Sequence, residues 1–167
     1  SLDDAQIAWW KELYYYGLGE FFYTNRIAVS MEEFMEIVSE GEKITEPDCP
    51  LESPAGCLVP IGGGKDSAVS LELMHSAGEK VCGYIINPRG ATQNTVKAAG
   101  LSENELLVTH RTLDKEMLEL NKKGFLNGHT PYSAIVAYSA SLCAYLYGLR
   151  YVVLSNEASA NESTVKG

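Results

Sequence analysis

The feature that most constrains this chain is the stretch Leu58-Val59-Pro60-Ile61-Gly62-Gly63-Gly64-Lys65-Asp66-Ser67. An apolar run enters three glycines, followed by a cation, an acid and a hydroxyl, and residues 68–74 then have helix-forming content. This reads as strand, loop and helix. Glycine lacks the Cβ that would keep a phosphate away from the backbone, and it allows the positive φ values that turn successive N–H groups inward. The first turn of the following helix adds bare amides and the positive end of a dipole. Lys65 contributes a point charge and Ser67 a hydroxyl donor.

Spacing separates three kinds of phosphate loop. A Walker A loop needs Gly where Val59 stands and Ser or Thr where Asp66 stands. A dinucleotide fingerprint takes Gly62 and Gly64, but it wants Gly or Ala at Ser67 and an acid at the end of the next strand, where Asn87 lies. The hexapeptide Gly62-Gly63-Gly64-Lys65-Asp66-Ser67 resembles the Ser-Gly-Gly-x-Asp-Ser loop of the PP-loop ATP pyrophosphatases, with Gly62 in place of the first Ser. The resemblance implies a loop that grips the β and γ phosphates of ATP while the α phosphorus is attacked, releasing AMP and pyrophosphate. The competing reading is a glycine-rich turn with no ligand.

The remaining organisation points to an α/β protein. Strands are expected at 57–61, 80–86, 105–109 and 151–155, alternating with helices at 66–77, 92–99, 113–123 and 131–147. This predicts a parallel, doubly wound, Rossmann-like sheet. The last helix, with Thr130 and Pro131 at its start and Gly148 after its end, is apolar or small on nearly every side and is expected to be buried on most of them. Residues 1–50 read as a small helical attachment and linker. A first helix covers 2–16 and stops at Gly17 and Gly19. A second starts at a Ser30–Glu33 capping box and carries Phe34, Met35, Ile37 and Val38 on its apolar face. The nucleotide-binding domain is then 51–167, and its end straight after a polar loop reads as a fragment of a longer protein.

Composition excludes several classes. The formal net charge of −9 argues against a nucleic-acid partner, because phosphate backbones are held by clustered Lys and Arg. No apolar run approaches the roughly 20 residues of a membrane span, and no cationic leader precedes an apolar core, so a cytoplasmic protein without membrane contact is expected. Cys49, Cys57, Cys82 and Cys143 form no Cys-x-x-Cys pair and are expected to be reduced thiols.

Ligands of open α/β sheets bind outside the carboxyl ends of the strands, and the polar stretches of this chain fall there. Asn87-Pro88-Arg89 follows the second strand and His110-Arg111 the third; Asn127-Gly128-His129-Thr130-Pro131 enters the long helix, and residues 155–162 follow the fourth strand. Together with the glycine loop, these motifs resemble one PP-loop branch, the ATP-dependent epimerases that act on UDP-linked muramoyl dipeptides in peptidoglycan precursor synthesis. The resemblance gives ATP contact to Gly62, Gly63, Gly64, Lys65, Asp66, Ser67 and Asn87. It gives the same role to Asn127, Gly128, Ser155, Asn156 and Ser159. Asp66, Glu157 and Glu162 are implied near Mg²⁺, and Asp66, His129 and Glu157 in catalysis.

The implied chemistry is adenylation of a substrate carboxylate, after which the neighbouring Cα–H is acidic enough for a base to remove. For His129 three roles stay open: contact with substrate or nucleotide, the proton-transfer base, or a residue of the capping turn. Other PP-loop enzymes, tRNA-modifying or amide-forming, and a non-enzymatic nucleotide-binding module are the alternatives. Oligomeric state is not encoded in any motif.

Overall fold

The computed structural model describes residues 1–42, 51–128 and 131–156. In chain order its helices are α1 (Asp4–Gly17), α2 (Gly19–Asn25), α3 (Met31–Phe34), α4 (Lys65–Ser76), α5 (Gly90–Ala98), α6 (Lys115–Lys122) and α7 (Tyr132–Leu146). Its strands are β1 (Cys57–Pro60), β2 (Val81–Ile86), β3 (Leu106–Thr109) and β4 (Tyr151–Val152). The chain divides into two compact units, one of Ser1–Cys49 with Leu113–Ile135, the other of Pro50–Thr112 with Val136–Gly167.

The second unit holds a four-stranded sheet in the order β3-β2-β1-β4, with every pairing parallel. Side chains of a strand alternate between faces, and the two faces build two cores. Cys57, Val59, Ile61, Val81 and Ile85 pack with Leu71 and Met74 of α4 and Val96 of α5. Leu58, Cys82 and Tyr84 pack on the other side with Ala140 and Ala144 of α7. Parallel crossovers are right-handed, so two steps in one direction, β1 to β2 to β3, place α4 and α5 on one face. The step back across the sheet to β4 then requires a helix on the opposite face, and α7 supplies it. The expectation of a parallel α/β sheet is met.

Three expected elements differ. Helix α5 starts at Gly90 rather than Thr92; the Thr92 hydroxyl accepts from Arg89 N at 2.9 Å and donates to Arg89 O at 2.8 Å, so it closes the first turn from inside the helix. Strand β4 stops at Val152, although Val153 N still donates to Leu58 O at 2.9 Å. Helix α7 is not buried on most sides: only Ala140 and Ala144 are buried, while Leu142 and Leu146 are 59% and 67% exposed. Its contact with the sheet needs small residues four apart, and the apolar residues elsewhere around the helix do not mark which edge that is.

The first unit is built without a regular core. Asp3 caps α1, accepting from Gln6 N at 2.8 Å while the Gln6 side chain accepts from Asp3 N at 3.0 Å. The first helix stops at Gly17 as expected, but a further helix, α2, begins at Gly19 and ends with Arg26 in the left-handed region. None of α1, α2 or α3 has a fully buried residue. The rings of Tyr15, Phe22 and Phe34 pack against one another instead, with centroids 5.3 to 5.9 Å apart. The Ser30 cap is present, yet α3 lasts one turn and Met35 is extended. Its expected continuation through Val38 fails because Val38 is 70% exposed, and a short helix without burial is unstable in water. The expected linker lies partly outside the described residues, since 43–50 are not described.

Candidate nucleotide site

Strand β1 delivers the chain through Ile61, fully inside the first core, to Gly62. Ile61 N donates to Tyr84 O at 2.8 Å, so the sheet holds the chain up to the residue before the glycines. Gly63 has φ +86, and a Cβ there would lie 2.9 Å from Ala91 Cβ and 3.0 Å from Thr92 N. The fold therefore requires glycine at 63, both for its backbone conformation and for the approach of α5. Gly62 and Gly64 differ. Neither has a positive φ, and among the described residues a Cβ at either would meet nothing within 4 Å. The packing of the described residues gives no reason for glycine at those two positions.

Gly64 is the N-cap of α4, at φ −98 and ψ 177, and no side chain caps the helix. A helix start leaves four N–H groups without intrahelical partners. In α1 and α6 an aspartate serves that end, Asp3 in one and Asp114 in the other. In α4, as in α5, no side chain among the described residues serves it. Asp66 stands in the first turn, half-buried, where the helix dipole favours a carboxylate. Lys65 is exposed. The Ser67 side chain is buried at 6% exposure and its hydroxyl donates to Gly64 O at 3.0 Å. A hydroxyl has one proton, and this one holds the loop to the helix, so the backbone amides are the donors left for an anion.

The strand order reverses between β1 and β4, and in open α/β sheets the ligand crevice lies outside the carboxyl ends at that point. Ser155, three residues beyond β4, reaches the helix of the glycine loop: its Oγ is 2.8 Å from Ser70 Oγ. Thus Gly62, Gly63, Gly64, Lys65, Asp66, Ser67 and Ser155 belong to one neighbourhood, and Asn156, exposed, follows directly. Ser70 was not expected there. Within the sequence it is one more polar residue of a helix, and only the hydrogen bond to a residue 85 positions away marks it.

Asn87 ends β2 with φ 53. Its Nδ2 donates to Arg111 O at 2.7 Å, its Oδ1 accepts from Arg111 N at 2.7 Å, and its own N donates to Thr109 O at 2.9 Å. It thereby ties the segment after β2 to the segment after β3. An open groove of about 530 Å³ runs from Gly63 between α4 and α5, past Ala68, Ala91 and Asn94.

Asn127 and Gly128 belong to the first unit. The Asn127 Oδ1 accepts from Gly128 N at 2.8 Å. His129, Glu157, Ser159 and Glu162 lie outside the described residues. Among the described residues no group of three or more His, Cys, Asp or Glu gathers to hold a metal, and Asp66 is the expected Mg²⁺ ligand that is described. Among them, too, no helix is long and apolar enough to cross a membrane. Cys57, Cys82 and Cys143 are free thiols, and burial, foremost, raises the pKa of Cys57 and Cys82. Raised, enclosed thiols are poor nucleophiles.

Residues 1–167 match the family model described as the MurL N-terminal domain. The chain is 35% identical over 162 residues to a UDP-N-acetyl-alpha-D-muramoyl-L-alanyl-L-glutamate epimerase of Xanthomonas oryzae pv. oryzae, covering 96% of this chain and 34% of that protein. Proteins of the same name from Salinispora tropica, over 164 residues, and from a Micromonospora species, over 162, are also 35% identical, with 96% of this chain and 34% and 35% of those proteins covered. The chain spans about a third of the length of these curated relatives. No solved structure matches it.

Proposed function

The chain belongs to the MurL N-terminal domain family, and from this we propose that it is the ATP-binding part of an enzyme that epimerises the terminal L-glutamate of UDP-N-acetylmuramoyl-L-alanyl-L-glutamate in peptidoglycan precursor synthesis. The names of the relatives support the substrate and the reaction. The observation that carries the nucleotide role is the glycine loop. Among the described residues, Gly62 and Gly64 leave open space beside the uncapped start of α4, and neither has a positive φ. The PP-loop resemblance then assigns the open space to the β and γ phosphates of ATP.

The chemistry follows from the acidity of the substrate. A free carboxylate beside the glutamyl Cα–H opposes deprotonation, because a second negative charge would form next to the first. In the proposed sequence a carboxylate oxygen attacks the α phosphorus of ATP and pyrophosphate leaves. The acyl adenylate has lost the opposing charge and withdraws electrons from Cα. A base then takes the Cα proton, a proton returns to the other face, and water attacks the acyl carbon to release AMP and the D-glutamyl product. Backbone amides of residues 62–66 hold the departing pyrophosphate, and Lys65 adds its charge.

Asp66 would hold Mg²⁺, with Glu157 and Glu162 as the further ligands the resemblance implies. The ion, when bound, neutralises phosphate charge. Asn127 and Gly128 are read as ligand contacts, and for His129 ligand contact and proton transfer both remain part of the proposal.

The test is product analysis with the full-length enzyme. With ATP, Mg²⁺ and UDP-N-acetylmuramoyl-L-alanyl-L-glutamate, it should form AMP, pyrophosphate and the D-glutamyl epimer. Release of ADP contradicts adenylation, and binding of ATP without turnover favours a nucleotide-binding module.

A further inference from the structure

In the first unit, three residues of the N-terminal helices, spaced four apart, meet the segment that leads into α7. Asn25 is the last residue of α2, and its Nδ2 donates to Phe21 O at 2.8 Å and to Asn127 O at 3.0 Å. Both partners are carbonyl oxygens, so only the NH₂ end of the amide serves here, and each of its two hydrogens has an acceptor. Phe21 bears on the next residue, since a Cβ at Gly128 would lie 2.9 Å from Phe21 Cα and 3.0 Å from Phe21 Cβ. Gly17 lies against the far end of the same segment, where a Cβ would come within 2.6 Å of Pro131 Cβ. Phe21 and Asn25, four apart, share one face of α2, and Gly17 is the last residue of α1 just before it. Both glycines are needed for this approach.

From this geometry we propose that Asn25 is a positioning residue of the epimerisation reaction, fixing Asn127 and Gly128 for ligand contact, with the N-terminal helices as their holder. The proposal rests on the reading above that these two residues touch ligand. A loop held in its binding conformation avoids part of the ordering cost on association, and small misplacements of binding groups are expensive in rate. Asn25 itself touches no ligand in this account. Its effect passes through the Asn127 carbonyl.

The experiment uses the full-length enzyme and compares Asn25→Asp and Asn25→Ala with the parent. Asn25→Asp keeps the size of the side chain but turns a carboxylate towards two carbonyl oxygens. Amide hydrogen exchange at Gly128 should quicken about tenfold and kcat/KM for the muramoyl dipeptide fall about tenfold, the effect of unmaking one hydrogen bond. Protonating the new carboxyl restores a donor, so the deficit of Asn25→Asp in protection at Gly128, relative to the parent, should shrink as pH is lowered from about 6 to about 4, through the ordinary carboxyl range. That of Asn25→Ala should not. A role confined to folding would lower the unfolding temperature in both variants without this difference in pH profile.

Unchanged exchange at Gly128 in both variants overturns the proposal, as does faster exchange with unchanged kcat/KM. If the parent does not epimerise the substrate, the functional reading fails and the assignment of Asn25 to that reaction fails with it, while the exchange measurement still decides whether Asn25 holds the segment.

Discussion

The carboxyl ends of β1 and β2 lie side by side in one sheet, and each leads through a few residues into a helix. They share one device and differ in another. Neither α4 nor α5 has a side-chain cap, and in both the hydroxyl of the third helical residue, Ser67 or Thr92, donates to the carbonyl of the N-cap residue. At β2, Asn87 also commits both ends of its amide to the Arg111 backbone. At β1, Gly62 and Gly64 leave open space among the described residues. The β2 end shows that a polar side chain can brace a strand-to-helix junction in this sheet, and under the proposed function the open β1 end takes an anion instead. Asn87 therefore has a bracing task at its strand end besides the nucleotide contact that the resemblance implies.

The largest effect expected from breaking this contrast comes from filling the open end. Gly64→Val, in a backbone conformation that valine adopts and with no described residue within 4 Å of the new Cβ, should weaken ATP binding about a hundredfold by blocking the loop amides. Its cost in stability should be only about 1 kcal/mol, that of a poor N-cap. Calorimetry and thermal unfolding on the full-length enzyme separate the two. Gly63→Ala is the control with mixed effects: it forces a Cβ onto Ala91 and Thr92 at a positive φ, and should cost about 1–3 kcal/mol of stability as well as affinity. Equal stability losses in the two variants would remove the distinction between them.

A smaller effect is expected at the closed end. Asn87→Gly keeps the positive φ but removes both hydrogen bonds to Arg111, so it should destabilise the second unit by about 1–2 kcal/mol. ATP affinity should change by less than it does in Gly64→Val. A larger loss of affinity here than at Gly64 would invert the comparison.

The smallest effect is a pH dependence in the sheet beneath both ends. Cys82, on β2, has its pKa raised, chiefly by burial. Below the ordinary thiol value of 9.0 both folded and unfolded chains keep the proton, and the stability is fully present. As pH rises above that value the unfolded thiol ionises first, so stability is lost. Thermal midpoints should therefore fall above about pH 9 in the parent and less steeply in Cys82→Ala; equal slopes would remove this cause.

The loop and the sheet were legible because their signals are local. An apolar run, three glycines and a helix stretch within 58–74 set strand, turn and helix, and parallel order followed from the alternation. What was hidden depends on partners far away in sequence. Nothing near Asn25 announces a bond to a residue 102 positions later, and nothing near Ser70 announces Ser155. Helix α2 was missed because Gly17 and Gly19 read as a stop, whereas Gly17 is there to admit Pro131. The buried edge of α7 was hidden because the helix is apolar on its open sides too, and period carries no direction when every side is alike.

In the proposed reaction the glycine-lined end of β1 holds ATP while a substrate carboxylate attacks its α phosphorus, and oxygen labelling follows that transfer. With both oxygens of the glutamyl α-carboxylate carrying ¹⁸O, the full-length enzyme should return AMP bearing one ¹⁸O per molecule, because the oxygen that bridges carbon and phosphorus in the acyl adenylate stays with phosphorus when water attacks the acyl carbon. Unlabelled AMP, or ADP in its place, would contradict it.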